Sequence, residues 1–288
     1  FKQKTAYEIY QCDWSSDVCS SDLLRVDFIS SHGHTVFHQP QDGFSTQIGS
    51  GAVIFAQTGI TTVCDFRSID VALGGQGAPL VPIGDKFLFP DFEACLNIGG
   101  IANISFQKKN QRVAFDICAA NIVLNELAAE LGLKMDRGGE LARNGRLISA
   151  LLEELNADAY YEKSEKKSLG REWVEENVIK KIRGHQGSLH DKLRTMAEHI
   201  AFQISRVVKE NQLNRILITG GGAYNDFLME RIRLLSGKEI VLPKNEIIEF
   251  KEALIFAFLG ANRILKRNNS LSSVTGAIAD SCGGCIYG

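Results

Sequence analysis

CLNIGGIANISFQKKNQRVAFDICAAN, residues 95–121, is the stretch from which the rest of the chain takes its meaning. Apolar and β-branched residues bounded by turn formers predict three short strands, over 95–98, 103–107 and 112–116. Gly99-Gly100 turns the chain between the first two, and Lys108-Lys109-Asn110 between the second and third. Glycine has no Cβ and takes positive φ at little cost, so such a corner lets a phosphate approach main-chain N–H groups. The third strand is expected to end on Asp116, where Val-Ala-Phe gives way to small residues. A carboxylate at a strand end beside a phosphate-holding corner suits phosphoryl transfer. One group orients or deprotonates the acceptor while backbone dipoles hold the donor. A plain antiparallel meander, its glycines serving only the turn, accounts for the same residues, and on this stretch alone it is the preferred reading.

The surrounding composition is ordinary for a globular protein. The 288 residues are 44% hydrophobic and 23% charged, enough chain for two domains. No apolar run approaches the ~20 residues that a membrane span needs. A net charge of −2 with no basic block argues against a nucleic-acid surface.

Residues 1–23, FKQKTAYEIYQCDWSSDVCSSDL, show neither a strand nor a helix period and lack the basic start and apolar centre of a signal peptide. They back-translate into stretches of a sequencing-library adapter, so they are expected to be a translated artefact. Without them the chain carries 30 basic and 30 acidic residues. Cys64, Cys95, Cys118, Cys282 and Cys285 then remain, an odd number mostly in apolar segments, which suggests reduced thiols in a cytoplasmic protein.

Over residues 24–93 a strand at 25–30 leads into Ser31-His32-Gly33-His34-Thr35. Two histidines at i, i+2 with no third ligand make no metal site, and turn histidines bonded to backbone are the better account. A helix over 52–59 and a buried strand over 61–64 follow. Next comes DFRSID, residues 65–70, then the glycine-rich GGQGAPLVP, residues 74–82. Such a loop closes backbone on a ligand while Arg67 and Asp70 bond a polyol or carboxylate. A structural ion pair beside a flexible connector explains it equally well.

Over residues 94–288, Asn121 opens an amphipathic helix closed by Gly132, and Asp136 caps a helix reading ELARNGRLISALLEEL. KSLGRE, residues 167–172, reads as a basic, solvated loop ending in a helix start. A long helix over 191–211 carries Leu193, Ala197, Ile200, Ile204 and Val208 on one stripe. It leads to a strand, the glycines Gly220, Gly221 and Gly222, and Asn225-Asp226 opening another helix. That pattern sets bare backbone and a helix N-terminus against a ligand. There is no Walker lysine and no GxGxxG spacing. Glu252 is placed in the first turns of a helix over 249–259, where the helix dipole suits a carboxylate. The single Cys282-Gly283-Gly284-Cys285 supports neither a zinc site nor a redox fold.

LNIGGIANISF followed by AFDI resembles the second phosphate loop of the actin/Hsp70/sugar-kinase superfamily. With DFR-x-x-D, GGQGAPLVP, KSLGRE and SVTGA, the chain looks like a member of the anhydro-N-acetylmuramic acid kinase family. The resemblance implies an α/β, two-domain actin-like ATPase (ribonuclease H-like) fold. Its first domain would occupy 24–93, incomplete, and its second 94–288. It implies ATP-dependent conversion of 1,6-anhydro-N-acetylmuramate and water to N-acetylmuramate 6-phosphate, with Mg²⁺, in recycling of cell-wall sugar. Carried over by position, Asp116 is the catalytic base, and Gly99, Gly100, Gly220, Gly221, Gly222 and Asn225 bind ATP. Arg67, Asp70, Asn121 and Glu252 bind the sugar, with Arg67 and Asp70 in a wall of its cleft. No protein-bound metal site is expected, and a homodimer is common in the family.

Three departures matter. Ser68 and Ile69 stand where the family is often basic, and Cys118-Ala119-Ala120 replaces Gly-Pro-Gly before Asn121, which is expected to stiffen that loop. The resemblance runs from Leu24 onward, without the family's first phosphate loop, so the polypeptide as written is expected to lack kinase activity. A different sugar or acid kinase on the same fold, and a non-catalytic nucleotide-binding module, are the alternative readings.

Overall fold

The computed structural model describes residues 26–162 and 167–288. The segment 1–23 lies outside the described residues. In chain order the strands are β1 (Ile29–Ser30), β2 (His34–Gln39), β3 (Phe44–Ile48), β4 (Thr62–Cys64), β5 (Ala94–Ile98), β6 (Ile101–Lys108), β7 (Gln111–Ala119), β8 (Arg215–Thr219), β9 (Glu239–Val241) and β10 (Cys285–Tyr287). The chain forms two compact units. One takes the residues up to Gly84 together with Glu252–Gly288, and the other is Asp85–Lys251. This division differs from the boundary at 93–94 expected from the sequence. The tail returns to the first unit because β10 pairs with β4 and Ser270 and Thr275 bond Asp70.

In the first unit β4 is the middle strand, parallel to β1 and antiparallel to β10. β2 and β3 form a separate hairpin whose turn residue Gly43 has φ 81°. The Gly51–Thr58 helix starts at Ser50, whose hydroxyl accepts from Val53 N–H, and stops at Gly59 in the left-handed region. Both ends follow capping chemistry.

In the second unit the sheet order is β7-β6-β5-β8-β9. β5, β8 and β9 run parallel, while β6 is antiparallel to β5 and β7. An antiparallel meander on one side of β5 and parallel strands on the other is the strand plan of an actin-like, ribonuclease H-like ATPase sheet. Ala94, Leu96, Ile98, Ala102, Ile104 and Phe106 are fully buried at the centre of that unit's core. The Leu189–Glu210 helix opens on a capping box between Ser188 and Asp191, and its stripe Leu193, Ala197, Ile200, Ile204 and Val208 is fully buried. No helix among the described residues is long and apolar enough to cross a membrane.

Three expectations of local structure need correction. β7 does not end on Asp116 but runs to Ala119, because Ile117, Cys118 and Ala119 are fully buried apolar residues that extend the sheet. The expected continuous helix after Asp136 is two helices, Glu140–Asn144 and Ser149–Asn156. The break is at Gly145, where a Cβ would stand 2.1 Å from the His190 carbonyl oxygen. Glu252 is the eighth residue of the Asn245–Ile264 helix, too far from its start for the dipole to act on it.

Candidate functional site

The two glycine corners meet. β5 and β8 are parallel neighbours, and both end at the same edge of the sheet, β5 in Gly99-Gly100 and β8 in Gly220-Gly221-Gly222. Ligands of open α/β sheets collect outside the carboxyl ends of parallel strands. Gly220 has φ +83°, and a Cβ there would lie 2.5 Å from Asn97 Oδ1. At Gly222 a Cβ would lie 2.2 Å from Ile98 Cγ2. These two glycines let β8's corner close on the end of β5.

Gly99, Gly100 and Gly221 are different. Neither Gly99 nor Gly100 has positive φ, so turn geometry does not explain the pair. A Cβ would meet nothing closer than 3.4 Å at Gly99, and 3.7 Å at both Gly100 and Gly221. The space over these three is open to a ligand approaching the main chain. The Gly99 carbonyl accepts from Asn121 N–H and the Gly100 carbonyl from Ala120 and Ile122 N–H, which fixes the corner to the Asn121–Ala129 helix. Asn121 Nδ2 donates to the Ile98 carbonyl at 3.1 Å. Thr219 Oγ1, buried at the end of β8, has no partner among the described residues. Bare backbone and the Asn121 amide at one rim fit a nucleotide and its phosphates.

Asn225 sits otherwise than expected. It is buried, and its Oδ1 accepts from Leu228 N–H at 2.9 Å as the cap of the Asp226–Ser236 helix. That oxygen also lies where a Gly139 Cβ would be, 2.2 Å away. Asn225 shapes the corner and does not face the open rim.

Asp116 lies on β7 opposite Asn103, three residues before the strand's end, roughly 10 Å of extended chain. Ile117 is an extra residue there: Ala102 pairs with Cys118 and Asn103 with Asp116, a β-bulge of the kind that re-aims side chains. Three contacts hold Asp116. Leu169 N–H donates to Oδ2 at 2.9 Å, the Asp116 N–H donates to the Lys167 carbonyl, and the Tyr160 hydroxyl donates to the Asp116 carbonyl at 2.7 Å. Burial raises the Asp116 carboxyl above its ordinary range, and the Leu169 bond draws it partly back. KSLGRE is therefore a solvated surface only in part: Ser168, Gly170, Arg171 and Glu172 are exposed, while two of its residues turn inward. Leu169 is buried, and Lys167 Nζ lies 4.7 Å from the Tyr160 ring centre. No local signal in the sequence connects that loop to Asp116.

In the first unit, Arg67 donates from Nη1 to the Gly77 carbonyl at 2.5 Å, and its Nη2 lies 3.0 Å from His32 Nε2. His32 stacks on Phe256, ring centres 4.1 Å apart. Burial and then the Arg67 charge push His32 down to about 4, so it is neutral and accepts from the guanidinium. The histidine bonds its own backbone, as expected of a turn histidine, and the Arg67 side chain as well. Burial lowers Arg67, while the Glu252 and then the Asp70 carboxylates raise it, which puts the exposed Glu252 within electrostatic reach.

Asp70 departs from its expected role. It is fully buried, Oδ2 accepts from Gly77 N–H at 2.8 Å, and Oδ1 accepts from Ser270 and Thr275 hydroxyls at 2.7 and 2.8 Å. Its oxygens are spent inside the fold, so Asp70 holds the glycine-rich loop and does not present itself to a sugar. Among the described residues no group of three His, Cys, Asp or Glu side chains is placed to hold a metal.

The family model for anhydro-N-acetylmuramic acid kinase matches residues 15–288, beginning inside the segment set apart as 1–23. Curated proteins of that name are similar throughout. The relative from Mannheimia succiniciproducens is 36% identical over 95% of this chain and 76% of its own length. One from Sulfurovum sp. is 38% identical over 92% of this chain and 76% of its length, and one from Coxiella burnetii 36% over 93% and 76%.

Proposed function

The chain belongs to the anhydro-N-acetylmuramic acid kinase family, and we propose on that footing that it takes the family's substrates. The reaction is ATP-dependent opening of 1,6-anhydro-N-acetylmuramate with phosphorylation to N-acetylmuramate 6-phosphate, in peptidoglycan recycling. The observation that carries this reading is the meeting of two open glycine corners at the carboxyl ends of β5 and β8, beside a strand bearing a half-buried, hydrogen-bonded carboxylate.

In this reading Gly99, Gly100 and Gly221 give the phosphates and ribose access to the main chain, and Gly220 and Gly222 shape the corner. Asn121 lies at the same rim. Asp116, with Oδ2 held by Leu169, takes the proton from the water that attacks the anomeric carbon. Opening the bridge frees the 6-oxygen to attack the γ-phosphorus. Mg²⁺ would be held mainly by the phosphates and would neutralise charge on the transferred group. Arg67 and Glu252 orient the sugar, while Asp70 acts through the loop it holds. A homodimer and a cytoplasmic setting belong to the same proposal, the latter supported by the free thiols of the described cysteines.

The test is ADP release, with product mass, from purified protein carrying these residues. ATP and a panel of amino sugars and sugar acids are supplied. ADP release dependent on the anhydro sugar is expected. Release with another sugar, or ATP binding without sugar-dependent release, overturns the reading.

A further inference from the structure

Cys285 closes a C-x-x-C run, yet its partner in the fold is not Cys282. In the antiparallel pairing of β10 with β4, Cys285 stands directly opposite Cys64, Ile286 opposite Val63 and Tyr287 opposite Thr62. Directly opposed residues share a face and have Cα atoms about 4.5–5.5 Å apart, inside the roughly 4.4–6.8 Å that a disulfide spans. The side chains agree with that register. A Cβ at Gly51 would lie 2.5 Å from Cys64 Sγ and 2.9 Å from Tyr287 Cδ2, and Tyr287 projects to the same side of its strand as Cys285. Cys282 is directed elsewhere, its Sγ 4.0 Å from Arg263 Nη1. The next residue, Gly283, is held at both N–H and carbonyl by the buried Asn269 side chain.

We propose that Cys64 and Cys285 are a dithiol modification site that exchanges with small disulfides of the glutathione type and becomes a cross-strand bond joining β10 to β4. Cys285 is exposed and Cys64 is buried, which sets the order of events. The Cys285 thiolate attacks one sulfur of the small disulfide, forming a mixed disulfide and releasing one small thiolate. The Cys64 thiolate then attacks the Cys285 sulfur, breaks the mixed bond and releases the second. Two protein thiols are oxidised to one disulfide, one small disulfide is reduced to two thiols, and the protein's two protons end on the leaving groups.

Their surroundings set the pace. Burial raises both thiols, and the Asp65 carboxylate, which accepts from Cys285 Sγ at 3.8 Å, raises Cys285 further. Against this, the Gly51 N–H at the start of the Gly51–Thr58 helix favours the Cys64 thiolate. The exchange is therefore slow. Cys95 and Cys118 are no competitors: both are fully buried, and burial pushes Cys95 up to about 12.

The test incubates the purified chain, with Cys12 and Cys19 replaced by serine, with oxidised glutathione. Free thiols are then alkylated and the protein digested. A species about 2 Da lighter and one linked peptide pair joining Cys64 to Cys285 are expected. Cys282→Ser should leave the link in place. Cys64→Ala should instead leave a stable glutathione on Cys285, and Cys285→Ser, at an exposed position, should abolish both without threatening the fold. A 282–285 link overturns the proposal. So does glutathione retained on Cys285 of the parent chain without the link, or thiols that stay unreacted while folded.

Discussion

Leu169 donates its backbone N–H to Asp116 Oδ2 across 53 residues of chain, at 2.9 Å. One carboxylate oxygen is thereby fixed in direction, and the loop 167–170 becomes part of the apparatus around Asp116. A held carboxylate needs less reorganisation when it takes a proton.

Asp116→Asn should lower sugar-dependent ADP release by about 100- to 10,000-fold, the range for a lost general base, and leave the sugar dissociation constant nearly unchanged. Turnover within tenfold of the parent would remove Asp116 from the proposed role.

The same substitution should have the opposite effect on stability. Burial raises the Asp116 carboxyl in the folded state, so its protonated form is favoured by folding and its ionised form opposed. That cost is present above the raised value and vanishes below the ordinary value of 3.8. Urea midpoints should therefore place Asp116→Asn at or above the parent at pH 7.5, with the difference closing as pH falls towards 3.8. A gap that widens on acidification contradicts the assignment.

Tyr160→Phe removes the hydroxyl that donates to the Asp116 carbonyl and leaves that acceptor without its buried donor. A loss of about 1–3 kcal/mol is expected in urea unfolding. Because the backbone of Asp116 shifts, kcat should fall with little change in KM for the sugar.

Gly221→Ala and Gly222→Ala should separate. A Cβ at Gly222 collides with Ile98, and overpacking of this kind costs about 1–3 kcal/mol. A Cβ at Gly221 meets only Asn121 Nδ2 at 3.7 Å, so stability should hold while nucleotide affinity falls. Thermal melts with and without ATP distinguish the two. Equal effects of both on stability would mean that the Gly221 rim is not open.

Asp70→Ala strands the Gly77 N–H and the Ser270 hydroxyl in a fully buried place, leaves Thr275 only its longer bond to the Leu271 carbonyl, and should destabilise by about 3 kcal/mol. Glu252→Gln, at an exposed helix position, should leave the melting curve in place and raise KM for the sugar. Sugar affinity unaffected by the latter would take Glu252 out of the sugar site.

Much of the second unit was legible in local sequence. Alternation and turn residues located the meander, apolar spacing located the Leu189–Glu210 helix, and the strand–glycine–helix run located β8's corner. Long-range pairings were not legible. Nothing near DFRSID says that the Asp70 carboxylate is spent on Ser270 and Thr275, about two hundred residues later. Nothing in KSLGRE points to Asp116. The strand end differs for another reason: Cys118 and Ala119 are small residues that resemble a loop but fit a fully buried strand end.

The unpaired Ile117 between Asp116 and Cys118 carries one last implication. Side chains on a strand alternate, so the count of residues, not their identity, decides which face each one meets. Substitution within 118–120 leaves that alternation in place, whereas removal of a single residue there would be a parity error. Either the carboxylate or the start of the Asn121–Ala129 helix would be turned to the wrong side, with every neighbouring letter still correct.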